Sequence, residues 1–209
     1  MRNLHFLFAA VFALVFVNIS AVDCVADVAK PGKQLIETID QLKNTVIKEK
    51  NTLSPEQLEQ KLANQILPRF DFQEMSQRSL GPSWRIATTE ERKEFVDLFS
   101  DLLVRTYITK IRKNLETSTV KLAEEKVEGD KAVIRTKVDD GNETVQIDYR
   151  LLLRDGEWHV YDVIVENVGL VSNYRSEFAA IVQKDKMQGL LVKLRDKKAK
   201  RVEDLGKAA

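Results

Sequence analysis

The sequence predicts an α+β fold, a four-stranded antiparallel curved sheet packed against a helical layer. Two observations carry this. Apolar residues recur at helical spacing from Leu35 to Ile111, and after Thr117 the period switches to that of strands. The strand region is then cut by short turn signals at Glu128-Gly129-Asp130, Asp139-Asp140-Gly141-Asn142 and Asp155-Gly156, so successive strands are hairpin neighbours. Helices segregated from an antiparallel meander define the class.

The chain has 209 residues and a formal net charge of +1. Arg2 followed by the 12-residue apolar run Phe6 to Val17, with small residues at Ala21 and Ala26, has the form of a secretory signal peptide. The run is shorter than the roughly 20 residues a membrane span needs. Residues 1–26 are therefore expected to be removed, by cleavage after Ala21 or Ala26, leaving residues 27–209 as one domain. Cys24, the single cysteine, precedes the later cut, so disulfides are not expected to hold the fold. Near-zero net charge gives no general pull toward nucleic acid.

Leu35, Ile36, Ile39, Leu42, Val46 and Ile47 predict a first amphipathic helix. Ser54-Pro55-Glu56-Gln57 is a capping box with proline at the first helical position, and it opens a second helix that Pro68 ends. Asp71 with Glu74 caps a short helix that Gly81 stops. Thr88 with Glu91 caps the longest helix, whose stripe includes Phe95, Phe99, Leu103 and Tyr107.

Strands are expected over Val120–Val127, Ala132–Val138 and Val145–Leu153, then over Trp158–Val168. In that last strand His159, Tyr161, Val163 and Val165 alternate with Trp158, Val160, Asp162, Ile164, Glu166 and Val168. Both sets are rich in apolar groups, so this strand must be covered on both sides or line something apolar. Gly169 breaks it, and one or two helices follow. Phe178, Ile181 and Val182 lie on the first; Met187, Leu190, Leu191 and Leu194 lie on the second.

Catalytic chemistry is thinly supplied. His159 is the one histidine beyond the signal segment, and no Cys/His cluster has metal-ligand spacing. No Gly-rich phosphate loop or nucleophile elbow occurs. Asp162 and Glu166, with Tyr107, Tyr149 or Tyr161 as proton donors, form the best acid/base set for an isomerase-type reaction. The plainer reading pairs these carboxylates with Arg150 or Lys137 on neighbouring strands.

The apolar surplus of the long helix and the last two strands fits either a filled core or a cavity lined by Phe99, Leu103, Tyr107, Leu151, Val163 and Val165. From Lys184 to Arg201 eight cations face two acids, which fits a solvated helix face or a docking face for anionic headgroups or an acidic partner.

Several stretches resemble one family. Phe70-Asp71-Phe72, Leu80-Gly81 with Trp84-Arg85, Ala87-Thr88 with Glu91-Arg92 and Phe95, Thr106-Tyr107, Trp158 to Val163, and Asn173 to Phe178 follow the order and spacing of the MlaC family. These are the periplasmic phospholipid-binding proteins of Mla toluene-tolerance ABC transport systems. The resemblance runs from about residue 30 to 195. It departs at Val165-Glu166-Asn167-Val168-Gly169, where the family pattern reads V-E-G-V-S.

The resemblance implies a non-enzymatic periplasmic shuttle with an apolar lipid pocket between sheet and helices, carrying a diacyl phospholipid and no cofactor. Its implied partners are an outer-membrane lipoprotein–porin complex and an inner-membrane MCE-domain ABC transporter. The expected pocket lining is Phe99, Leu103, Tyr107, Tyr149, Leu151, Val163, Val165 and Val168. A hopanoid or other apolar-ligand binder of the same superfamily, or an isomerase using Asp162 and Tyr107, is the alternative reading. A module with a filled core and no ligand is a third.

Overall fold

The computed structural model describes residues 30–207. The expected signal peptide lies outside the described residues.

Helix α1 (Pro31–Glu49) and helix α2 (Pro55–Ile66) start with proline, whose missing N–H falls where a helix has no acceptor to offer it. At α2 the expected capping box forms. Ser54 Oγ accepts the Gln57 N–H at 3.3 Å, and Gln57 Oε1 accepts the Ser54 N–H at 3.0 Å. A 3-10 turn (Leu67–Arg69) leads to helix α3 (Phe72–Leu80), where Asp71 Oδ1 accepts the Glu74 N–H at 2.8 Å.

Gly81, at φ 55°, ends α3 as expected. A one-turn helix not expected from the sequence, α4 (Pro82–Ile86), follows it. Helix α5 (Thr89–Asn114) carries the second capping box, between Thr88 and Glu91.

The sheet has five strands in sequential antiparallel order, one more than expected. Strands β1 (Thr119–Glu128), β2 (Lys131–Asp139) and β3 (Thr144–Arg154) follow the predicted turns. Strand β4 (Glu157–Val165) stops before the expected Val168. Glu166 and Asn167, at φ 48° and 67°, make a tight turn into a two-residue strand β5 (Val168–Gly169). Two successive positive φ values are the signature of the turn whose twist matches a hairpin, and asparagine accepts that conformation more readily than most residues. Helix α6 (Leu170–Lys207) is broken at Lys186, which separates the two apolar sets assigned to it.

The expected alternation along β4 is corrected by a bulge. Arg150 pairs with Asp162 but Leu151 pairs with Val160, so Tyr161 is an extra residue. An inserted residue shifts the side-chain parity of the strand beyond it. Trp158, Val160, Val163 and Val165 therefore share the face of Leu153, Leu151, Tyr149 and Ile147. Tyr161 turns the other way.

Both faces of β4 are covered. On one, Leu152 and Tyr161 pack with Met75 of α3, Phe95, Phe99 and Leu103 of α5, and Phe178 and Leu190 of α6. Phe99 sits edge-on to Tyr174 and Phe178 at 5.1 and 5.2 Å, a packing worth about 0.5–1.5 kcal/mol per pair beyond burial. On the other, Leu35 of α1 covers Ala132, Ile134, Leu151, Trp158 and Val160. A third cluster joins α1, α2 and the later half of α5 through Leu42, Val46, Leu58, Leu62 and Ile108.

Candidate functional site: an open apolar cavity

The α1-facing side of the sheet is not filled. A cavity of about 420 Å³ lies between β1–β4 and the helices α1, α2 and α5. Its floor is the outward row of β3, Val145, Ile147, Tyr149 and Leu151, continued by Val120, Val138 and Val160 on the neighbouring strands. Its roof is the apolar stripe of α1 at Leu35, Ile39 and Leu42, with Ile111 of α5 and Leu115 just after that helix. The wall is mostly aliphatic because each of these elements presents one apolar row, at period 3.6 or period 2, to the same space.

The two ends differ. At one end Trp158, Val160 and Leu151 are buried, and Phe70 closes the space. The segment before α3 is pinned there by the Asp71 N–H, which donates to the Val160 carbonyl at 2.9 Å. Gln34 holds the first turn of α1 against the backbone of Trp158. At the other end Lys110 and Asn114 of α5 face Asp140 and Glu143 of the β2–β3 turn, all four exposed.

The register fixes that juxtaposition: α5 runs through Ser118 into β1, whose Thr119 pairs with Asp139. The cavity thus has a largely buried end, where Gln34 and the Glu157-paired Arg69 are the polar lining groups, and a charged mouth. Six residue steps from Leu151 to Val145 span roughly 20 Å at strand rise.

Tyr149 supplies a hydroxyl on the floor. Burial pushes it up to about 12, with the Thr136 hydroxyl opposing, so it is a neutral donor throughout the ordinary pH range. Among the described residues no group of three His, Cys, Asp or Glu side chains can hold a metal ion.

The family model for the MlaC protein matches residues 36–196. The chain belongs to the MlaC family. A curated relative in Haemophilus influenzae, the intermembrane phospholipid transport system binding protein MlaC, is 23% identical over 146 residues, which are 67% of this chain and 68% of that protein. The solved phospholipid-binding protein of Ralstonia solanacearum, in complex with a phospholipid, is 27% identical with a TM-score of 0.72. That match covers 82% of this chain and 98% of the solved one.

Within this MlaC fold the expected lining residues divide. Tyr149 and Leu151 line the cavity. Val163 shares their face and packs beside them against Trp158 and Val160. Val165 and Val168 flank the β4–β5 turn with 41% and 65% exposure, outside the cavity. Phe99 and Leu103 lie in the filled core between α5 and α6, with Tyr107 packed against it. The long helix turns that stripe toward α6, and only its last turns reach the cavity.

The expected acid/base pair is also separated from the cavity: neither Asp162 nor Tyr107 lines it. Asp162 Oδ1 accepts the Val171 N–H at 3.0 Å, capping the start of α6. Its Oδ2 lies 3.7 Å from Arg150, the plainer role the sequence allowed. Glu166 sits in the β4–β5 turn. His159 Nδ1 is 3.1 Å from the Pro68 carbonyl.

The sequence reading missed Leu35, Ile39, Leu42, Phe70, Val138 and Trp158 as lining. A stripe on α1 announces only that the helix covers something. Of the basic run after Lys184, Lys193 pairs with Asp185, Arg195 with Glu94 and Lys197 with Glu177.

Proposed function

We propose that this chain is a non-enzymatic carrier of a diacyl phospholipid in the periplasm, moving lipid between the two membranes as the soluble component of an Mla-type transport system. The observation that carries the reading is the cavity: roughly 20 Å of mostly aliphatic wall, with Trp158 and Phe70 at one end and the charged groups Lys110, Asp140 and Glu143 at the mouth. One leaflet of a bilayer offers its acyl chains about 15 Å of hydrocarbon depth, so a chain lying along β3 fits the floor from mouth to end. Its volume falls within the roughly 300–1,000 Å³ of ligand clefts.

Each methylene moved from water contributes about 0.8 kcal/mol, so the tails supply the affinity without a buried charge clamp. Tight apolar binding also means slow spontaneous exit. Unloading therefore calls for the partners the family implies, an inner-membrane MCE-domain transporter and an outer-membrane lipoprotein–porin complex, to open the cavity. Among the described residues no helix is long and apolar enough to cross a membrane.

Native mass spectrometry of the mature protein, purified without detergent and followed by solvent extraction, tests the reading. The expected result is one diacyl phospholipid per chain. A bare mass that persists after incubation with phospholipid vesicles would overturn it, and an extracted polycyclic lipid would move the cargo to the hopanoid class.

A further inference from the structure

The mouth carries opposite charges on opposite lips. Lys110 on the helical lip has no ion-pair partner among the described residues, and Glu143 on the turn lip has none either. Asp140 beside it accepts the N–H groups of Asn142 and Glu143 at 2.9 and 3.1 Å, and these hold its carboxyl below the usual range, so it stays ionised. The lips thus carry one cation on the helical side and two anions on the turn side, with Asn114 lining the cavity one helical turn after Lys110.

On the carrier reading, tails that enter toward Trp158 leave the headgroup at this mouth. We propose that the mouth reads headgroup charge: Lys110 takes the phosphate and the Asp140–Glu143 lip takes a cationic terminus, so zwitterionic amine headgroups are preferred over anionic ones. A headgroup of net charge −1 meets two carboxylates across from one ammonium. A zwitterion places each of its charges against an opposite one. Exposed pairs are weak, so the selection is a bias on top of tail burial, about twofold to fivefold.

The test loads lipid-free protein from vesicles of equimolar phosphatidylethanolamine and phosphatidylglycerol with identical acyl chains. The protein is re-isolated, and the ratio of extracted lipids is measured. The expected ratio favours phosphatidylethanolamine by about twofold to fivefold at low salt and approaches one at 1 M salt, where the Debye length is about 3 Å.

Glu143→Lys should invert the ratio and Lys110→Glu should widen it. The readout is a ratio, so it stands apart from the amount loaded. An even wild-type ratio that Glu143→Lys does not move would overturn the headgroup inference while leaving the carrier standing. So would a preference indifferent to salt. No lipid on any variant or on the wild type would overturn both.

Discussion

Gln34 is bonded twice to the backbone of Trp158: its Nε2 donates to the carbonyl at 3.0 Å, and its Oε1 accepts the N–H at 3.2 Å. A side-chain amide here does the work of a neighbouring strand. Trp158 pairs with Leu153 across β3, and its own N–H and C=O point outward from the sheet edge. Gln34→Ala leaves both groups without that partner in a partly buried place, at a cost of about 1–3 kcal/mol. The urea midpoint should fall with an unchanged slope, and the Trp158 amide should exchange faster. A midpoint within error of wild type would show that water replaces the amide freely.

Lys186 holds φ 61° and ψ −177°, a region essentially reserved for glycine that costs other residues about 1–3 kcal/mol. Lys186→Gly relieves the strain but gives the unfolded chain more freedom, so the expected gain is about 1 kcal/mol. Gly189 answers the same break from the other side, since a Cβ there would lie 2.3 Å from Asp185 Cβ. Gly189→Ala should destabilise while Lys186→Gly stabilises. Thermal unfolding of the two variants checks the opposite signs.

Tyr149 and Tyr174 are both pushed up to about 12, in each case chiefly by burial. A tyrosine whose folded value lies above its unfolded value near 10 stabilises fully below pH 10. That contribution is lost as pH rises from about 10 through 12, because the unfolded chain ionises first. Stability should therefore drop across this window, and Tyr149→Phe should flatten part of the drop. Ultraviolet titration should show late tyrosine ionisation, later still for Tyr149 when lipid fills the cavity above it. A single transition near 10 for every tyrosine would contradict this.

Much of the fold was legible because its signals are local. The boxes at Ser54–Gln57 and Thr88–Glu91, the stop at Gly81 and the turn at Asp155-Gly156 each act within a few residues. The site was less legible because it depends on two facts with no local signature. One is the bulge at Tyr161, which sends Val160 and Val163 to the same face although strict alternation separates them. The other is which element a stripe meets: Phe99 and Leu103 look as suitable for a pocket as Leu35 and Ile39, and only the placement of α6 over the former fills that side.

Phe99→Ala separates stability from loading. Phe99 is fully buried among Phe95, Tyr174 and Phe178, so truncation should cost about 3–5 kcal/mol. At a temperature where the variant remains folded it should still carry lipid, because the side chain lies outside the cavity. Loss of lipid from a folded Phe99→Ala protein would mean that the aromatic core moves when the cavity fills.

Ile147 and Val165 are cross-strand partners, yet Ile147 lines the cavity and Val165 is 41% exposed beyond it. Arginine at 147 sets its stem in the lumen, and its guanidinium must either stay among aliphatic groups or block the route to the mouth. Burying that charge unpaired is prohibitive, so lipid entry should be lost by at least about tenfold, with the circular dichroism spectrum retained. Arginine at 165 can direct its charge to solvent along the outside of β4, so Val165→Arg should load close to normally. Equal loss in both would mean that the loaded cavity spreads beneath β4, bringing Val163 and Val165 into contact with the tails. Equal retention would place the tails elsewhere than along β3.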